Sequence, residues 1–157
     1  SNGYSLIRRL AETRRWDLSS TFGETTLGEA LMTPTLIYSA PVRALLSELP
    51  DDIRGLAHIT GGGITGNVPR MLPPHLAAHI HRQQIPTHPL MTFLAAESGL
   101  SPPELEATFN CGTGMVACVK ASGTEAAIAA VTSTGHTAVP IGTLQARGDG
   151  SPACTIA

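Results

Sequence analysis

The chain has 157 residues, 42% of them hydrophobic, enough for one compact domain that buries roughly two thirds of its unfolded surface. Charged residues make up 14% and the formal charge is −2, so no basic field is present to gather nucleic acid. Apolar stretches are broken by Gly, Pro, His or charge well short of the ~20 residues a membrane crossing needs, which predicts a soluble protein with no membrane partner.

Leu6, Ile7, Leu10 and Ala11 recur at helical spacing behind Ser1 and Asn2, two good caps, with Arg14 and Arg15 at the negative end. They predict a helix over 3–15. The Thr-rich run 16–27 follows neither period. Pro34 and Pro41 then punctuate a short helix and its successor, whose apolar stripe is Val42, Leu45, Leu46 and Leu49 and whose end is Pro50. A buried strand is predicted over 53–59, closed by three glycines. A short helix over 64–72 and a strand over 76–81 follow.

Leu90, Phe93 and Leu94 mark another helix, which Gly99 ends. Ser101 and Glu104 form a capping box with Pro102 at the first helical position, which predicts a helix over 102–108. Strands over 115–119 and 136–144 flank a helix carrying Ala126, Ala127, Ala130 and Val131, which ends at Gly135. A turn at Gly148, Asp149 and Gly150 then brings in a final edge strand. Helices alternating with strands place the chain in the mixed α/β class, α+β in type, with helices packed on a mixed sheet. Glycines and prolines are spread through the connections, which predicts a single domain over 1–157.

The most informative string is His58 Ile59 Thr60 Gly61 Gly62 Gly63. Three glycines at a strand end predict backbone N–H groups free of side-chain obstruction, able to cradle a phosphate, while a tight turn with positive φ angles is the plainer alternative. No Lys-Ser or Lys-Thr pair follows and the glycines are not spaced as in a dinucleotide fingerprint, which removes those two nucleotide-binding routes. Asn67 and Arg70 lie close enough in sequence to face the same ligand, and a guanidinium suits phosphate oxygens.

A second cluster, Phe109 Asn110 Cys111 Gly112 Thr113 Gly114, opens a predicted strand where small residues allow close approach. Cys111 reads as an inert thiol, because no adjacent His or cation lowers its pKa. His75, His79 and His81 lack a completing carboxylate or Cys and adjoin Arg82, so no metal site is predicted. No GxSxG elbow supports hydrolase chemistry. The three cysteines form neither a CxxC pair nor an even set, which suits a reducing cytoplasm. The chain opens without Met or a signal peptide and reads as a piece of a longer protein.

Read in order, these strings resemble the aminoimidazole ribonucleotide synthetase family, also called phosphoribosylformylglycinamidine cyclo-ligase. The resemblance is carried by Ser1 Asn2 Gly3 Tyr4 Ser5 Leu6, by Pro34 Thr35 with Ile37 Tyr38, and by Gly55 Leu56 Ala57 His58 Ile59 Thr60 Gly61 Gly62 Gly63. It continues through Asn67 with Pro69 Arg70, Thr108 Phe109 Asn110 Cys111 Gly112 with Gly114 Met115, and Ile141 Gly142, covering 1–142. Ile80 His81 with no Trp after it departs from the family pattern.

The resemblance implies a three-layer helix, mixed sheet, helix domain forming the carboxy-terminal half of an ATP-dependent enzyme. That enzyme converts formylglycinamidine ribonucleotide to aminoimidazole ribonucleotide in cytoplasmic purine biosynthesis, using ATP and magnesium, as a homodimer. The resemblance implies that ATP activates the formamide oxygen before the amidine nitrogen closes the ring, so positioning is the protein's main task. The amino-terminal half carries the ATP segment, so this half alone is expected to be inactive and to bind no cofactor. The implied substrate contacts are Asn2, Gly3, His58, Thr60, Gly61, Gly62, Gly63, Asn67, Arg70 and Asn110, with the catalytic residues unassigned. Related readings are a domain of formylglycinamidine ribonucleotide synthetase, of selenophosphate synthetase, of thiamine monophosphate kinase or of the hydrogenase maturation protein, or a non-catalytic phosphate-binding module.

Overall fold

The computed structural model describes residues 2–157, so Ser1, read above as a cap, lies outside them. Helix α1 (Tyr4–Arg14) starts at Gly3, whose left-handed backbone has φ 77°, and no side chain caps it. The predicted cap Asn2 instead sends its Nδ2 to the Thr108 carbonyl. Ile7 and Leu10 are the buried face of α1.

The run without a period holds a small hairpin, β1 (Thr21–Phe22) with β2 (Thr25–Thr26). It feeds directly into α2 (Leu27–Met32), where Thr26 and Glu29 form a capping box. Helix α3 (Ser39–Glu48) buries Pro41 and Leu45, with Leu49 just beyond it. Leu46, placed on the apolar stripe by its spacing, is 50% exposed.

Strand β3 (Ile53–His58) leads through the glycine turn into α4 (Gly63–Asn67) and a 3-10 turn over Val68–Met71. Then come β4 (Leu76–Ile80), α5 (Pro89–Ser98) and α6 (Pro102–Thr108), the last opened by the predicted Ser101–Glu104 box. β5 (Met115–Val119) pairs antiparallel with β3, α7 (Thr124–Thr132) packs beside α3, and β6 (Gly142–Ala146) and β7 (Cys154–Ile156) close the chain.

The predicted strand over 136–144 is displaced to β6, because Pro140 offers no N–H to a ladder. The Gly148–Gly150 segment makes no hairpin either. β6 and β7 flank β4, the first antiparallel and the second parallel to it, which gives a mixed sheet with β7 at its edge.

The expected mixed α/β class is the one the chain adopts, with pairing divided among three small sheets. A bulge between Ile53 and Gly55 lets Ile53 and Leu56 share one face of β3, where Val119, Leu45, Leu49, Ala127 and Ala130 bring in α3 and α7. The opposite face of the ribbon, Ala57 and Val116, meets Ile64 and Val68 of the α4 segment and Ala78, Ile80 and Cys154 of the other sheet. A third cluster joins α1, α2 and α5 around Phe109. The glycine turn therefore sits where the ribbon, α4 and α6 meet.

Candidate functional site

The last turn of a helix leaves carbonyls without partners, and the end of α6 is where several of the predicted site residues gather. Asn2 donates to the Thr108 carbonyl, and the Gly62 N–H donates to that of Ala107 at 3.0 Å. Gly3 lies under the Phe109 ring, where a Cβ would fall 2.2 Å from Cε1. Gly63, at φ 59°, lies against Glu106, where a Cβ would fall 1.7 Å from the carbonyl oxygen. Asn110 follows directly. Its Oδ1 accepts the Gly112 N–H and its carbonyl accepts that of Thr113, which supports positive φ angles at Cys111 (51°) and Gly112 (89°).

This geometry corrects the expectation of an open amide cradle. The Gly62 N–H is held by Ala107 and the Gly63 N–H by Thr60, at 3.0 Å each, and Gly63 is buried. The neighbouring helix end also carries negative partial charge, the wrong sign to welcome an anion. Of the three glycines only Gly61 is exposed, with open space where a Cβ would stand.

The other side of the turn is more receptive. Asn67, 2% exposed, donates its amide to the carbonyls of Gly63 (2.8 Å), Gly61 (3.2 Å) and Thr60 (3.4 Å). All three of those contacts are acceptors, so the side-chain oxygen is the group left over. Leu56, Ala57, His58, Asn67, Arg70 and Met71 line an open pocket of about 270 Å³. Arg70 is exposed there and has no hydrogen-bond or ion-pair partner among the described residues. The predicted residues thus form two groups, Asn2, Gly3 and Asn110 at the α6 end and His58, Asn67 and Arg70 around the pocket. Thr60 and the glycines form the seam between them.

His58 also stands beside a residue that motif reading left without a role. Its ring centroid is 5.9 Å from that of Tyr38, which is 6.3 Å from that of His136. Tyr38 is half-buried, and burial pushes its phenol above the ordinary tyrosine range, so it stays a neutral hydrogen-bond donor at physiological pH. The available signal was its place in the Ile37 Tyr38 string; in the structure a Cβ on Gly114 would fall 1.6 Å from the Tyr38 hydroxyl. Burial likewise raises the Cys111 thiol, with Arg82 opposing it. That direction suits the inert thiol predicted from sequence.

The pocket offers a cation, an imidazole and an amide, chemistry that fits a phosphate or sugar hydroxyls. Its lining contains no carboxylate, so it lacks the hard anionic oxygens that magnesium takes from proteins. The lining by itself is not suited to hold magnesium. No helix among the described residues is long and apolar enough to cross a membrane.

Residues 1–154 match the family model described as AIR synthase related protein, C-terminal domain. The phosphoribosylformylglycinamidine cyclo-ligase of Nitrosococcus oceani is 47% identical over 142 residues, covering 90% of this chain and 39% of that protein. Those of Burkholderia ambifaria and Paraburkholderia phymatum are 40% identical over 157 residues and 41% over 150, covering 100% and 96% of this chain. The chain spans 39 to 44% of the length of these relatives. On this match, the chain belongs to the AIR synthase related protein family as its C-terminal domain.

Proposed function

We propose that the chain is the substrate-holding half of an ATP-dependent cyclo-ligase that converts formylglycinamidine ribonucleotide to aminoimidazole ribonucleotide in cytoplasmic purine biosynthesis. The observation that carries this reading is an unpartnered Arg70 guanidinium beside His58 and Asn67 in one pocket. Arg70 takes the 5′-phosphate, Asn67 offers its side-chain oxygen to the ribose, and His58 stands at the rim. Asn2, Gly3, Thr60, Gly61, Gly62, Gly63 and Asn110 act through the seam that holds this pocket open.

ATP with magnesium supplies the activation of the formamide oxygen, and both bind an amino-terminal half of the same protein, with a homodimer as the working assembly. The names of the relatives favour this cyclase over formylglycinamidine ribonucleotide synthetase or selenophosphate synthetase. This chain's contribution is to fix one end of the substrate so that its own amidine reaches the activated carbon, an advantage of proximity.

Titration of ribose 5-phosphate against the isotope-labelled chain tests the pocket. Shifts are expected at His58, Asn67 and Arg70, with weaker effects at Gly61. Arg70→Ala should weaken binding roughly tenfold or more, the scale of a charge-assisted hydrogen bond. An unperturbed pocket at millimolar ligand, or equal binding by the variant, refutes the assignment.

A further inference from the structure

We propose that Tyr38 is a positioning residue for His58, fixing the imidazole at the mouth of the Arg70 pocket with His136 supporting the far side of the phenol ring. This rests on the reading of that pocket as a sugar-phosphate site.

Three observations place the ring. Tyr38 immediately precedes α3, and its carbonyl accepts the Val42 N–H at 3.0 Å, so its backbone is anchored. Its hydroxyl end lies directly on Gly114, where any side chain would evict it. Gly114 in turn accepts the Ile59 N–H at 2.9 Å, and its neighbour Met115 is the register partner of His58. The phenol therefore stands on the same stretch of ladder that carries His58, and movement of one ring constrains the other.

The three rings form a row, His58 to Tyr38 at 58° and Tyr38 to His136 at 45° between planes. Tilted aromatic pairs at such separations are mutually attractive beyond the area they bury. The far ring is tethered, since His136 Nδ1 lies 3.1 Å from both the hydroxyl and the carbonyl of Thr134. His58 has no hydrogen-bond partner among the described residues. An exposed imidazole at the end of a strand would otherwise sample several rotamers, and the ring row limits that freedom. The other charged or titratable group lining its pocket is Arg70, so a His58 held in place presents one nitrogen to the ligand that Arg70 attracts.

The test reads His58 itself. In Tyr38→Ala the His58 ring-proton resonances, assigned with His58→Gln, should shift and broaden as the imidazole samples more rotamers, as a purely structural role for Tyr38 would not require. Ribose 5-phosphate affinity should fall about two- to tenfold, in line with the loss of one aromatic pair. Tyr38→Phe keeps the ring and should restore both, while Gly114→Ala should reproduce Tyr38→Ala by displacing the ring. Unchanged His58 resonances in a Tyr38→Ala protein whose remaining spectrum is native overturn the proposal. If Tyr38→Ala does not fold, Tyr38→Leu decides by the same resonances. Because the His58 signal needs no ligand, absence of ribose 5-phosphate binding would remove the pocket's assignment while the ring row stands or falls separately.

Discussion

Gly61 and Gly63 are adjacent but for one residue, yet the structure separates their roles completely. An alanine at 63 would need φ 59° and would drive its Cβ into the Glu106 carbonyl. Strain and overpacking together should cost roughly 2–5 kcal/mol, read as a large fall in melting temperature. At 61 no positive φ is required and nothing stands within 4 Å of a Cβ, so Gly61→Ala should leave stability level or raise it by about 0.4–1 kcal/mol. Equal losses at the two positions would contradict the packing described here. Thr113 makes a third contrast. Its Oγ1 is buried and has no hydrogen-bond partner, so Thr113→Val should stabilise the chain by about 1 kcal/mol, measurable in urea, since it removes a desolvated hydroxyl without changing shape much. The residue identities were legible in the sequence, because Gly61, Gly62, Gly63, Asn67 and Arg70 stand in distinctive strings. Which amides remain free was not, because that depends on Ala107, which the fold brings in from a distant helix.

At the scale of elements, the two capping boxes carry an acid-range prediction. The Ser101 hydroxyl and N–H hold the Glu104 carboxyl below its usual range, and the Thr25 hydroxyl, with Thr26, does the same for Glu29. A carboxyl depressed on folding contributes stability that is fully present above its unfolded pKa, near 4.5, and is lost as pH falls through the folded value. Glu104→Gln can still accept the capping hydrogen bond but cannot titrate. Its melting temperature should therefore fall less than the wild type's between pH 6 and pH 3, and parallel curves would argue against the box as an acid-sensitive cap. The same box made α6 readable from sequence to the residue, and the predicted strand over 115–119 matched the limits of β5. Elements governed by local chemistry were legible. The β1–β2 hairpin was not, since two residues per strand are too few to display a period. The β6 strand was misplaced because Val139 and Ile141 look like strand while Pro140 denies the ladder an N–H. Asn67 belongs to this scale too, holding the carbonyls of Thr60, Gly61 and Gly63 where the turn enters α4.

The whole molecule has three apolar clusters, but it spans only 39 to 44% of its relatives. Its pocket carries one guanidinium and no carboxylate, a composition suited to holding a phosphate monoester and unsuited to activating a triphosphate through magnesium. The proposed division of labour is testable by joining halves. The chain alone should show no ATP hydrolysis. Fused behind the preceding portion of the Nitrosococcus oceani cyclo-ligase, it should support ATP-dependent turnover of formylglycinamidine ribonucleotide. In that fusion Arg70→Ala should lower kcat/KM roughly tenfold or more by removing a charged contact to the phosphate. If that contact is equal in ground and transition states, the loss falls on KM and leaves kcat nearly unchanged. A loss confined to kcat would move Arg70 from holding the substrate to the reacting centre. ATP hydrolysis by the chain alone would overturn the division itself, because the activating group would then have to lie within these 157 residues.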